Sequence, residues 1–306
     1  MMSETTLGEI RALAENSDPI IADPPNIRLL TGPLNPGSDP NFFDLTANDD
    51  IVQLANGILR NTPGGLRALD GNDFVRGSGA AELINGNSGT DTLIGGCGAD
   101  TIRGGQDFDI LYGECGNDLV SGNQGDDVAY GGTGNDFVRG GQGNDALVGD
   151  SGNDTLIGDV GIDRLWGKEG ADLFVLKRET GATSRQFGSD GPPPTGTFPL
   201  STEEVPADFI LDYNPAQGDV IGLAGGLTRN DIVLTERFAT IGDARSYDSN
   251  GPIPPGTIIT TEFRFLNIKA TVIREASTGN ILGLVKDVSP SQIQFTSVSD
   301  GAIALG

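Results

Sequence analysis

The 306-residue chain carries 19 Lys and Arg against 43 Asp and Glu, giving a net charge of −24 and a pI near 4.1. That balance excludes nucleic acid and anionic membrane surfaces as partners. Histidine is absent altogether, which removes Ser-His-Asp triads, HExxH zinc sites and imidazole general bases.

The first segment, residues 1–43, reads as an N-terminal arm: a short helix from about Thr6 to Glu15, then an extended stretch rich in Pro, Asn and Gly. It lacks the apolar core of a Sec signal peptide, and no window of the chain is apolar over the roughly eighteen residues that span a bilayer. Residues 44–52, DLTANDDIV, resemble a nine-residue unit with Asn48 and Asp49 at its fifth and sixth positions. The stretch QLANGILRNTPGGLR, about 53–67, then breaks the period. It reads as a loop or cap over an open sheet end, where exposed strand edges need covering.

From 68 to 176 the chain repeats every nine residues without a break: GGCGADTIR, GGQDFDILY, GECGNDLVS, GNQGDDVAY, GGTGNDFVR and so on. Position 1 is Gly in eleven of twelve units and position 4 in ten. Position 6 is acidic in all twelve: Asp73, Glu82, Asp91, Asp100, Asp109, Asp118, Asp127, Asp136, Asp145, Asp154, Asp163 and Asp172. Position 8 is apolar throughout, from Val75 to Phe174. The glycines at positions 1 and 4 are expected to supply positive φ and close backbone approach. Positions 7 to 9 alternate outward, inward, outward, as a short strand requires. Two units then make a flattened coil with two parallel strands whose position-8 side chains meet inside. Stacked coils bring an acid every ~4.8 Å along each edge, a file that requires cations between its members. Ca²⁺ suits such oxygen-only sites. The GDSG of residues 149–152 imitates a serine-protease nucleophile but is only positions 1 to 4 of a repeat.

These units resemble the glycine-rich RTX nonapeptides, G-G-x-G-x-D-x-U-x, of the hemolysin-type calcium-binding family. The resemblance implies an all-β fold, a parallel β-roll of stacked repeats. Roughly eight to ten Ca²⁺ ions would be bound by the twelve position-6 acids and by carbonyls of positions 1 to 4. It departs from the pattern at GSGAAELIN (77–85), with Ala80 and Glu82, and in the unit 104–112, with Asp107 and Phe108. Without calcium the unscreened acid files are expected to leave the segment unfolded.

The two roll faces differ. One carries Ile94, Tyr112, Tyr130, Val148 and Trp166 in one column. Such a patch is either an interaction surface, for self-association or an extracellular polysaccharide, or is covered within the chain. Cys97 and Cys115, both at position 3 and eighteen residues apart, should lie one above the other within disulfide reach. Parallel Cβ vectors disfavour the torsion, and the bridge stays open at this point.

Residues 177–207 read as a Pro/Gly-rich loop or linker, and 208–306 as a C-terminal β cap, with strands such as DIVLTE, IKATVIRE and ILGLVKDV. ADFILDYNPAQGDVIGL is similar to a segment that follows RTX repeats in secreted proteins. In it, Asp212 and Asp219 are either further calcium ligands or turn formers. That similarity implies leaderless type I export, with a signal at the C-terminus. The expected function is a secreted, non-enzymatic calcium-binding structural component of the cell surface or matrix. A calcium-dependent adhesin for polysaccharide or mineral surfaces is the alternative, and a relative of an RTX-tailed hydrolase a third.

Overall fold

The computed structural model describes residues 26–31, 41–178, 207–244 and 263–299. The expected N-terminal helix, most of the arm and linker, and the C-terminal export signal lie outside them.

The described chain is a parallel β-solenoid of about six turns over the repeats, closed at its far end by an antiparallel hairpin. One sheet has twelve strands and the other ten, and successive strands of the chain alternate between them as far as Val220–Leu223. Within the repeats each strand pairs in parallel with the one eighteen residues on, as Val120 with Val138 and Val138 with Leu156. The cause lies in position 8: all twelve of its side chains, Val75 through Leu147 to Phe174, are 0% exposed. A one-residue slip would turn that column out into water.

Strands are longer than the expected triplet. Ala146–Ser151 and Thr155–Val160 each run from position 7 around a corner to position 3. The pairing skips position 1 at that corner and resumes at position 2. Positive φ falls at positions 2 and 4, not 1 and 4: Gly141 has φ 121° and Gly152 φ 143°. Asn123 and Glu114 adopt φ of 77° and 70° at position 2 without being glycine. Position 1 is glycine for space instead. A Cβ on Gly149 would collide with the Asp154 carboxylate of its own unit.

The solenoid runs beyond the repeats at both ends. Arg28–Leu30 pairs with Ile51–Leu54, and Phe43–Asp44 with Leu66–Asp70. The stretch read as an interruption holds a 3-10 turn, Ile58–Asn61, that buries Leu59. At the other end Asp208–Ile210 and Val220–Leu223 join the two sheets, followed by Ile281–Lys286 and Phe295–Ser297. The C-terminal region thus adds coils before the hairpin of Ile232–Ala244 and Phe263–Glu275 ends the first sheet. Arg67 clamps the buried Asp44 with two 2.7 Å bonds at the N-terminal end, and Arg178 clamps the buried Glu275 near the hairpin.

Of the two readings of the apolar column, an interaction surface or one covered within the chain, burial supports the second. Ile94 and Val148 are 0% exposed and Tyr112, Tyr130 and Trp166 at most 7%. Tyr112 and Tyr130 stack with ring centroids 4.7 Å apart. Self-association or polysaccharide binding through this column is therefore corrected: its apolar area is already removed from water within the chain.

Candidate metal centre

The position-6 acids form two files, one along each edge. Asp73, Asp91, Asp109, Asp127, Asp145 and Asp163 precede strands of the twelve-stranded sheet. Glu82, Asp100, Asp118, Asp136, Asp154 and Asp172 precede strands of the other. Each is at least 96% buried. Within a file, Oδ1 of each aspartate accepts the backbone N–H of the acid one coil earlier. Asp91 accepts from Asp73 at 2.8 Å, Asp145 from Asp127 at 2.8 Å and Asp118 from Asp100 at 2.7 Å. This bond fixes each carboxylate's direction and leaves Oδ2 facing inward.

That second oxygen is an orphan. Oδ2 of Asp73, Asp91, Asp100, Asp109, Asp118, Asp127, Asp136, Asp145, Asp154, Asp163 and Asp172 is buried without a hydrogen-bond partner. A buried carboxylate oxygen left unpaired is costly. Burial accordingly raises Asp73, Asp91, Asp100, Asp127 and Asp154 to about 7, and Asp136 and Asp172 to about 6. Asp109 and Asp145 rise to about 9, again through burial, with neighbouring carboxylates adding to it. Eleven buried orphan oxygens in two regular files, several of them beside a position-1 carbonyl of the next coil, are oxygen donors of the kind that fits hard divalent cations.

The files end where other donors take over. Asp50 extends the first file, its N–H bonded to Asp73 Oδ1 at 2.7 Å, but its own Oδ2 accepts from the Thr46 N–H and hydroxyl. Val52, not Ile51, fills position 8 there, so Asp50 and not Asp49 holds position 6. At the far end Asp208 accepts from the Asp163 N–H at 3.3 Å and Asp219 from the Asp172 N–H at 3.1 Å. Asp219 Oδ2 is met by the Asn214 N–H, and Gly283 stands opposite Asp208, so no further carboxylate follows. Asp212 turns away to bind the Gly167 and Lys168 N–H groups, each at 2.9 Å. Glu82 is met within its own unit by the Ser78 N–H and hydroxyl. Asp208 and Asp50 were missed by the sequence reading, although each opens the same Asp-x-apolar triplet as the repeats.

A family model decides the matter: the RTX calcium-binding nonapeptide repeat, a model that spans four copies of the repeat, matches five overlapping stretches, residues 66–93, 94–129, 112–147, 121–156 and 148–176. Residues 66–176 are RTX repeats. They bind multiple Ca²⁺ ions, and the stacked parallel coils are the β-roll that such repeats form. No curated protein and no solved structure matches the chain. Among the described residues, no helix is long and apolar enough to cross a membrane.

The RTX array also carries a second ladder. At position 5 the side-chain oxygen of one coil accepts the N–H of the next, as Asn117 from Asn135, Asn135 from Asn153 and Asp126 from Asn144, at 2.7–2.8 Å. Cys97 and Cys115 are joined by a disulfide with Cα atoms 4.5 Å apart. In-register stacking was expected to disfavour the torsion, yet the corner turns admit the bridge.

Proposed function

We propose that this protein is an exported, non-enzymatic structural component of a cell surface or extracellular matrix, whose solenoid folds when Ca²⁺ enters the two acid files. The observation that carries the reading is the set of eleven buried Oδ2 atoms that accept no hydrogen bond. Those eleven aspartates would hold the ions, helped by backbone carbonyls. The ions would supply the positive charge that lets buried carboxylates ionise. Nine spaces lie between successive orphans, five in the first file and four in the second. Glu82 drops out of the expected ligand set, because Ser78 already satisfies both of its oxygens.

Export fits this chemistry. Calcium sites built for extracellular levels work at about 10⁻⁴–10⁻³ M, well above cytosolic concentrations. Inside a cell such a roll stays unfolded, and metal binding becomes folding free energy outside. The non-enzymatic part of the reading rests on a chain without histidine and on repeats and coils that fill most of its length. With the aromatic column buried, the adhesin alternative loses the surface it relied on. Assembly turns instead to the solenoid ends, where Leu29 at 58% and Val233 at 47% exposure sit on the two outermost strands of one sheet.

Light scattering after size exclusion, stepped from chelator into millimolar Ca²⁺, tests the proposal. Growth from an expanded monomer into large assemblies is expected. Collapse to a compact monomer would refute the structural role and leave a soluble calcium-responsive protein. An unchanged size would refute calcium-driven folding itself.

A further inference from the structure

The Cys97–Cys115 bridge joins the same two turns that carry one particular pair of ladder acids. Each cysteine is the last residue of its strand, Thr92–Cys97 or Ile110–Cys115, and stands three residues before Asp100 or Asp118. The same two turns are bonded to each other, Gly98 N–H to Cys115 O at 2.7 Å and Asp100 N–H to Asp118 Oδ1 at 2.7 Å. Asp100 and Asp118 each keep a buried orphan Oδ2. Cys97 is exposed and Cys115 half-buried, so reductants reach the bond.

We infer that the Cys97–Cys115 disulfide positions the calcium site between Asp100 and Asp118: it holds their two turns at coil spacing before the roll has folded, so that the first ion binds there. This rests on the reading that the orphaned oxygens receive Ca²⁺. In the unfolded chain the two acids lie eighteen residues apart, free to wander. With the bridge closed, the Cα atoms of Cys97 and Cys115, three residues before the acids, are 4.5 Å apart. Closing a loop of that length shifts the equilibrium by a factor on the order of a hundred. Where that factor falls separates a positioning bridge from a general staple. Shared over nine cooperative ions it moves the half-folding Ca²⁺ concentration by its ninth root, less than about twofold. Concentrated on one site, it tightens the first ion by up to about a hundredfold. Reduction by a dithiol delivers two electrons and two protons to the S–S bond, leaving two thiols and oxidising the dithiol to its own disulfide.

The test uses the full chain, stripped by chelator, oxidised or reduced with dithiothreitol, and titrated with Ca²⁺ under native mass spectrometry and circular dichroism. Well below the folding midpoint, the oxidised chain is expected to carry a one-ion species that the reduced chain lacks. That species should vanish in oxidised D100N/D118N and persist in oxidised D136N/D154N. The C97S/C115S chain should behave as the reduced one, which guards against a direct effect of the dithiol. Loss of the one-ion species in both aspartate pairs, or its survival on reduction, overturns the inference. If neither redox form binds calcium, the calcium reading of the files falls first, a result that the midpoint of folding shows separately.

Discussion

In the calcium-free roll, protons must take the place of the cation. Asp109 and Asp145 are 0% exposed and raised to about 9 in the fold, against an ordinary aspartate value near 3.9 when unfolded. Because the folded value is the higher, these two groups cost the metal-free fold nothing below about pH 4 and destabilise it increasingly as pH rises towards the folded value. The loss is about 1.4 kcal/mol per pH unit for each group, so about 5 kcal/mol apiece is gone by roughly pH 7.5. These two side chains alone then cost on the order of 10 kcal/mol, as much as the whole stability of an ordinary domain. Asp73 and Asp154, raised to about 7, and Asp136 and Asp172, raised to about 6, add their own cost between about pH 4 and those values. Far-UV circular dichroism and small-angle scattering on chelated protein, from about pH 4 to about pH 8, should therefore show a compact β form that melts as pH rises. Saturating Ca²⁺ should abolish the dependence above about pH 6. The measurement needs dilute protein, since the pI of about 4.1 places zero net charge at the acid end. A chelated chain equally folded at both ends of the range, or folded only at the alkaline end, would refute the argument.

Calcium content measured by atomic emission on desalted protein should approach nine ions, and S78G/E82D, which removes the Ser78 hydroxyl and shortens the acid to the repeat's own aspartate, should add one. Gly149→Ala forces a methyl group onto the Asp154 carboxylate and should lower both calcium content and thermal midpoint. Gly225→Ala meets open space and pays only for its φ of 62°, about 1 kcal/mol, without loss of ions. Leu147→Ala, at a site 0% exposed in the central column, should cost about 2–5 kcal/mol by thermal unfolding in Ca²⁺.

The repeat's columns were legible because each has one physical task. An acid at position 6 and an apolar residue at position 8 in every unit admit few folds other than stacked coils. The glycine columns were legible as glycine but not as function, since a sequence does not separate a residue kept for φ from one kept for space. Gly149 is kept for space alone; Gly152 is kept for both, since its φ is 143° and a Cβ there would also collide with the Gly134 carbonyl. Asp50 was misplaced by one position because two adjacent aspartates precede two adjacent apolar residues, and only the burial of Val52 decides between them. Asp208 was missed because the coil leading to it is stretched to 45 residues, which hides the period. The buried column of Tyr112 and Trp166 shows the remaining limit. Outward-facing alternation tells which side of a sheet a residue takes, not what lies over that side.

The two side-chain ladders run in opposite senses. At position 6 a later coil reaches back to an earlier amide; at position 5 an earlier coil reaches forward to a later one. From Asn117 to Asn153, where position 5 is Asn or Asp in every unit, each coil therefore presents the same complement to its successor as it received from its predecessor. Whole coils of eighteen residues can be duplicated or deleted in the middle of the array without disturbing either neighbour, the hydrogen-bond separation being 18 in both ladders. A nine-residue change is a different matter: it would exchange the two sheets for everything downstream, carrying Trp166 to the side opposite Tyr112. Length in this molecule is free to evolve, but only in even counts of the repeat.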